Sequence, residues 1–205
     1  MRCCRPVDVK IGVLALQGNV SEHIDAFRRA LNRMGQGTAS EIIEVRLPAD
    51  LTECNALAIP GGESTTISRL IEKNHLHKPL CTFSGGIFAT CAGMVLIATQ
   101  VDDNRVRTLG LIDMNVDRNA FGRQKESFEA DLPVNGLEGG PFHAIFIRAP
   151  VAIDVGANVT VLSMMDQGAV AVEYGKHMAL AFHPELTCDT RLHERFLKNL
   201  GVISL

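Results

Sequence analysis

The chain has 205 residues, 46% hydrophobic and 21% charged, with a formal net charge of −3; this composition specifies a buried core and excludes a disordered chain. No Lys/Arg cluster exceeds a pair, so nucleic acid meets no electrostatic footprint, and no apolar stretch approaches the roughly 20 residues that span a bilayer. Cysteines 3, 4, 54, 81, 91 and 188 follow no repeated spacing and read as reduced thiols, and "MRCCRPVDVK" has positive charge but no apolar h-region behind a cleavage site; both point to the cytoplasm.

Residues 1–9 read as an N-terminal extension and 10–205 as one domain. "KIGVLALQG" (10–18) is an apolar run ending in glycine, and 20–35 carries Ile24, Phe27, Leu31 and Met34 at helical spacing. A strand is expected at 41–47 and a third at 55–62, closed by a Pro-Gly-Gly turn. The helix expected at 64–74 opens with hydroxyl residues able to cap it. This β-α-β-β-α order predicts an α/β fold with a mostly parallel, doubly wound sheet and helices on both faces. "SGG" (84–86) reads as a helix stop, "IFAT" (87–90) as a fourth strand and 91–100 as a helix. Short strands are expected near 111–117, 125–131, 142–147, 158–164, 168–174 and 177–182, followed by a helix over 188–200.

Cys91 therefore stands where a strand turns sharply into a helix. Such a turn lifts a side chain clear of the sheet, and the free N–H groups of the helix start can stabilise an oxyanion and favour a thiolate. Most cysteines in such apolar surroundings are small packing residues, and the stretch alone does not set this one apart. A base is supplied by "LAFHPEL" (180–186), where a strand is expected to end at His183 and Glu185 follows two positions on, able to fix the ring's tautomer. "PGGEST" (60–65) lets backbone approach a ligand closely, or is simply a tight turn. Zinc needs about four ligands. Cys3, Cys4, His75 and His77 do not supply that pattern, so no metal is expected.

With "TCAG", "HPE" and the "PGG" turn, the chain resembles the class I glutamine amidotransferases. "VLALQGNVSEHI", "DRNAFGRQ" (117–124) and "FIRAP" (146–150) extend the similarity to the glutaminase subunits of pyridoxal 5′-phosphate synthases, over about residues 10–200 and in that family's order. The resemblance implies a flavodoxin-like fold and hydrolysis of L-glutamine to glutamate and ammonia. It also implies a (β/α)8-barrel synthase subunit as partner, and no cofactor. Carried over by motif, Cys91 is the nucleophile, His183 the general base and then acid, and Glu185 its orienting group. Backbone of Gly61, Gly62 and Ala92 forms the oxyanion hole. Gly62, Glu63, Ser64, Arg118, Ile147 and Arg148 contact glutamine, and Gln17 acts near the oxyanion turn.

Three features depart from that family. Ala89 stands where glycine is usual, residues 1–9 have no counterpart, and the loop at 33–41 is longer. His23 and His143 are read as satisfied or exposed histidines, Cys81 and Cys188 as packing residues, and Met164 and Met165 as core and strand-edge residues. The rival readings are the glutaminase subunit of another amidotransferase, such as imidazole glycerol phosphate synthase, which lacks "DRNAFGRQ" with "FIRAP", a cysteine peptidase on a similar fold, and a non-catalytic regulatory subunit, against which the three triad residue types argue.

Overall fold

The computed structural model describes residues 9–37, 40–121 and 127–201. Most of the extension, including Cys3 and Cys4, the end of "DRNAFGRQ" and the first residues of the strand expected at 125–131 lie outside them. The apolar runs form strands buried on both faces: β1 (Val9–Leu14), β3 (Ala56–Ile59) and β4 (Gly86–Thr90), as parallel strands covered by helices should be. With β2 (Ser40–Val45) and β12 (His177–Leu180) they make a parallel block in the order β2-β1-β3-β4-β12. Beyond β12 the sheet turns antiparallel through β11 (Gly168–Tyr174), β9 (Val151–Val155) and β6 (Ile112–Asp117), and ends with β5 (Ala98–Val101) parallel to β6. β10 (Thr160–Met165) pairs with β11. A separate hairpin joins β7 (Ser127–Leu132) to β8 (Phe142–Ile147).

Helix α1 (Val20–Arg33) buries His23, Ala26, Phe27, Ala30 and Leu31, one stripe at i, i+3, i+4, i+7 and i+8 spacing. Phe27 meets Phe88 of β4 edge-on at 5.5 Å, and Phe196 of α6 (Arg191–Asn199) at 6.1 Å. The opposite face carries α3 (Ser64–Lys73) and α5 (Ala92–Ile97), which pack together. Consecutive strand residues point to opposite faces: Phe88 faces α1 and α6, whereas Ala89 abuts Gly93 of α5, where an added Cβ would lie 3.2 Å away. The same Cβ would sit 2.3 Å from the Ile59 carbonyl, so Gly93 is what lets α5 cross the sheet closely. Ala89, in register with Ile59 and Ala179, is an ordinary buried strand residue.

The departures from expectation have physical causes. The helix expected over 91–100 stops at Ile97, because Thr99 exchanges hydrogen bonds with Met114 backbone and draws 98–101 into pairing with β6. β9 and the short helices α2 (Pro48–Leu51) and α4 (His77–Cys81) were not expected. The cap of α3 is Glu63 rather than a hydroxyl, since its carboxylate reaches the N–H groups of both Thr65 and Thr66. The strand before His183 ends at Leu180, and Pro184–Leu186 is a 3-10 turn. Cys188 is exposed, on the connection to α6, rather than packed, while Cys81 does lie against the core. Met164 is exposed on edge strand β10 and Met165 packs against the core. Among the described residues no helix is long and apolar enough to cross a membrane.

Candidate functional site

The chain leaves β1 toward β2 on one side and returns to β3 on the other, so the loops after β1 and β3 diverge at a topological switch point, the place where open α/β sheets bind ligands. Gln17 and Asn19 come from the first loop and Gly61, Gly62 and Glu63 from the second. The next two parallel strands, β4 and β12, end just before Cys91 and His183. A cavity of about 430 Å³ opens there, lined by all of these, by Ser64 and Ala92, and by Arg118, Ile147 and Arg148. Every site residue expected from the sequence therefore reaches it except Glu185, which lies buried behind His183.

Cys91 has φ +48° and ψ −106°, a conformation disfavoured for any residue with a Cβ. It is fixed by the Cys91 N–H bonded to Leu180 O at 2.8 Å and by α5 starting at Ala92, whose N–H has no acceptor within the helix. The thiol points at the Ile147 carbonyl, 3.7 Å away. Arg148, the next residue, is a second non-glycine with positive φ, +43°.

His183 and Cys91 meet across Gly61. A methyl there would fall 2.3 Å from His183 Cε1 and 3.1 Å from Cys91 Cβ, so only glycine admits both. His183 Nδ1 lies 2.7 Å from Glu185 Oε1. The 3-10 turn brings the two together, where an extended segment had been expected. Asn19 Nδ2 donates to the same Glu185 oxygen at 3.2 Å. Burial works to lower the pKa of His183, but the neighbouring Cys91 sulfur and the hydrogen-bonded Glu185 carboxylate outweigh it and hold the ring well above the usual imidazole range. Burial works to raise Glu185, yet the His23 ring and the His183 hydrogen bond hold it well below the usual carboxylate range. His23 is itself driven toward the neutral form by burial, so it supports the carboxylate as a dipole rather than as a cation.

The Gly61 N–H donates to Thr90 Oγ1 at 3.0 Å, and Gln17 Oε1 accepts the Glu63 N–H at 2.9 Å. These bonds pin the turn at both ends and use neither the Gly62 nor the Ala92 N–H. Across the cavity Arg118 is gripped by Asp103 and reaches Glu63 Oε1 at 3.4 Å. Burial raises Glu63, but hydrogen bonds from Thr65 and Thr66 outweigh it and hold the carboxyl at about 2. A thiol beside a carboxylate-held imidazole, with helix-start donors adjacent, is equipped for nucleophilic attack on a carbonyl carbon. Among the described residues no three His, Cys, Asp or Glu side chains gather as a metal-binding group.

A sequence model of the SNO glutamine amidotransferase family matches residues 13–202. The chain belongs to that family. It is 68% identical over 194 residues to the pyridoxal 5′-phosphate synthase subunit PdxT of Methanoregula boonei, covering 95% of this chain and 100% of the relative. With the protein of the same name from Methanosphaerula palustris it shares 64% identity over 197 residues, 96% of this chain and all of the relative. A crystal structure of a glutamine amidotransferase superposes with a TM-score of 0.82 at 43% identity, covering 93% of this chain and 98% of that one. The acivicin-bound glutaminase domain of Trypanosoma brucei CTPS matches at TM-score 0.60 and 12% identity, over 96% and 95% of the two chains, a likeness of fold alone.

Within this amidotransferase frame, sequence reasoning missed Asn19, Thr90 and Asp103, and set His23 aside. Asn19 and His23 stand in the quoted "QGNVSEHI" and Thr90 directly precedes the cysteine, but their partners lie 29 to 166 positions away. His143 is as expected, exposed between Asp131 and Glu129 at 2.9 and 3.1 Å.

Proposed function

We propose that this chain is the glutaminase subunit of a pyridoxal 5′-phosphate synthase, hydrolysing L-glutamine and passing ammonia to a (β/α)8-barrel synthase subunit in the cytoplasm. The meeting of Cys91, His183 and Glu185 beside the start of α5 is the observation that carries this reading. The Cys91 thiolate attacks the carboxamide carbon, and the Gly62 and Ala92 N–H groups receive the oxyanion while Gly61 keeps the turn in shape. The His183 imidazolium gives its proton to the departing ammonia, leaving a γ-glutamyl thioester. Water then attacks the thioester, the now neutral His183 takes its proton, and collapse releases glutamate and regenerates the thiolate. Glu185 holds the ring's orientation and charge throughout.

Arg118 takes the substrate's α-carboxylate and Glu63 its α-ammonium, with Ser64 and the backbone of Ile147 and Arg148 closing around the rest. No cofactor or metal enters this sequence of steps, and one domain over 10–205 provides every group in it. The test is ammonia release from glutamine by the full chain with its cognate synthase subunit, with and without a glutamine-analogue electrophile. Labelling of Cys91 together with loss of ammonia release is expected. Turnover retained by Cys91→Ala would overturn the reading.

A further inference from the structure

The face of the site turned toward α1 holds a second set of polar groups that the steps above leave unused. His23 is fully buried on α1, and its Nε2 lies 3.0 Å from Thr90 Oγ1 and 3.5 Å from Glu185 Oε1. Thr90 is fully buried as well, and its oxygen accepts the Gly61 N–H at 3.0 Å. Thr90 shares the α1 side of β4 with Phe88, two residues before it, while Cys91 leads into the elbow. His23 sits edge-on to Phe88 at 6.2 Å, in surroundings where an apolar side chain would pack without desolvating an imidazole. A buried polar ring is costly unless its hydrogen bonds compensate. Only Nε2 has partners, since Nδ1 has none among the described residues.

One tautomer fits: a neutral ring protonated at Nε2, which donates to Thr90 Oγ1 and turns the same edge toward Glu185. The result is a continuous chain of polar contacts. Gly61 N–H and His23 Nε2–H both donate to Thr90 Oγ1, and Glu185 Oε1, 3.5 Å from His23 Nε2, accepts from His183 Nδ1. The chain closes on itself, because the His183 ring rests against Gly61.

We propose that Thr90 and His23 are positioning residues that lock the Gly61–Gly62 turn and the Glu185–His183 pair into one register, so that the oxyanion donors and the imidazole are set relative to Cys91 by a single closed network. This deepens the glutaminase reading and rests on it. Such a network acts on the transition state more than on substrate binding, because neither residue reaches the cavity.

The experiment is steady-state glutaminase kinetics on the full chain with its cognate synthase subunit. Thr90→Val, close in shape but without the hydroxyl, is expected to lower kcat by roughly 10- to 100-fold, the scale on which misplaced supporting groups act, while KM stays within about threefold. Thr90→Ser restores kcat to within about threefold of wild type, which a packing role for the methyl group would not. His23→Phe behaves like Thr90→Val, His23→Gln recovers part of the loss, and the Thr90→Val/His23→Phe double variant is no worse than the poorer single one. Unchanged kcat in Thr90→Val, equal loss in Thr90→Ser, or multiplying losses in the double variant would each overturn the proposal.

A measurement on the unaltered chain keeps it testable if the variants do not fold. The ¹⁵N shifts of His23 are expected to report a neutral ring protonated at Nε2, and a proton on Nδ1 instead would overturn the network. A wild-type complex that releases no ammonia from glutamine would instead sink the glutaminase reading. An active wild type with unaffected variants would sink only the network.

Discussion

Gly61→Ala tests the site's geometry with a single methyl group. Its carbon would lie 2.3 Å from His183 Cε1, 3.0 Å from Nδ1 and 3.1 Å from Cys91 Cβ, whereas carbon atoms settle at about 3.5–4.0 Å. The ring or the turn must therefore yield by roughly 1.2 Å. The Nδ1–Glu185 bond at 2.7 Å opposes the ring's retreat, and the Gly61 N–H to Thr90 bond opposes the turn's. A displacement of about 1 Å at reacting groups costs on the order of 100-fold in rate, and overpacking a tight site costs about 1–3 kcal/mol of stability. In a chain of this size that is a fall in Tm of roughly 2–4 °C per kcal/mol. The assay is ammonia release with the synthase subunit present, beside a thermal melt. Gly35→Ala is the control: φ there is +71° with no atom within 4 Å of an added Cβ, so it should lose about 1–2 kcal/mol from backbone strain and no activity. Wild-type turnover in Gly61→Ala would refute the placement of the imidazole against the elbow.

Other expectations follow from the same geometry. Because Cys91 sits at φ +48°, Cys91→Gly should be more stable than Cys91→Ala by about 1 kcal/mol, inverting the usual order of the two residues; chemical denaturation of both inactive variants checks the sign. Glu185→Gln removes a group that raises the His183 pKa, so the alkaline limb of the kcat/KM profile should move to lower pH along with a loss of rate, and an unmoved limb would contradict the assigned pairing. In the wild type, Glu185 titrates from 4.5 down to about 2 on folding, so its stabilising contribution is complete above about pH 4.5 and lost as pH falls toward 2. Glu185→Gln should lack that part of the acid dependence in equilibrium unfolding. Arg118→Lys forfeits the guanidinium fork held by Asp103 and Glu63, and should raise KM for glutamine by about tenfold. Alkylation of Cys91 by a small uncharged electrophile should meanwhile proceed at the wild-type rate.

What could be read in the sequence was whatever the chain's own periodicity exposes. Strands β1, β3 and β4 are buried on both faces and stand out as unbroken apolar runs, and α1 presents its buried stripe at plain helical spacing. α5 and β5 defeat the same reasoning. "AGMVLI" is buried all round and has no polar face to mark its period, so nothing local shows that the chain straightens at Ala98. That decision is made by Met114, 15 residues beyond Thr99. The site divides along the same line. Cys91 and His183 were found because each follows an apolar strand and has small or helix-breaking neighbours, a local signature of a side chain raised above the sheet edge. Thr90 and His23 carry no such signature, since a threonine closing a strand and a histidine on a helix are ordinary until the fold sets one against the other. The Glu185 pairing was anticipated for a partly mistaken reason, extended backbone, where a 3-10 turn achieves the contact. In this chain, then, the groups that would do the chemistry are marked by local backbone shape, and the groups that would hold them in register are marked only by tertiary contact. If the closed network of polar contacts acts as argued, rate should be as sensitive to Thr90, to which the reading of "TCAG" gave no role, as to parts of the "PGGEST" turn.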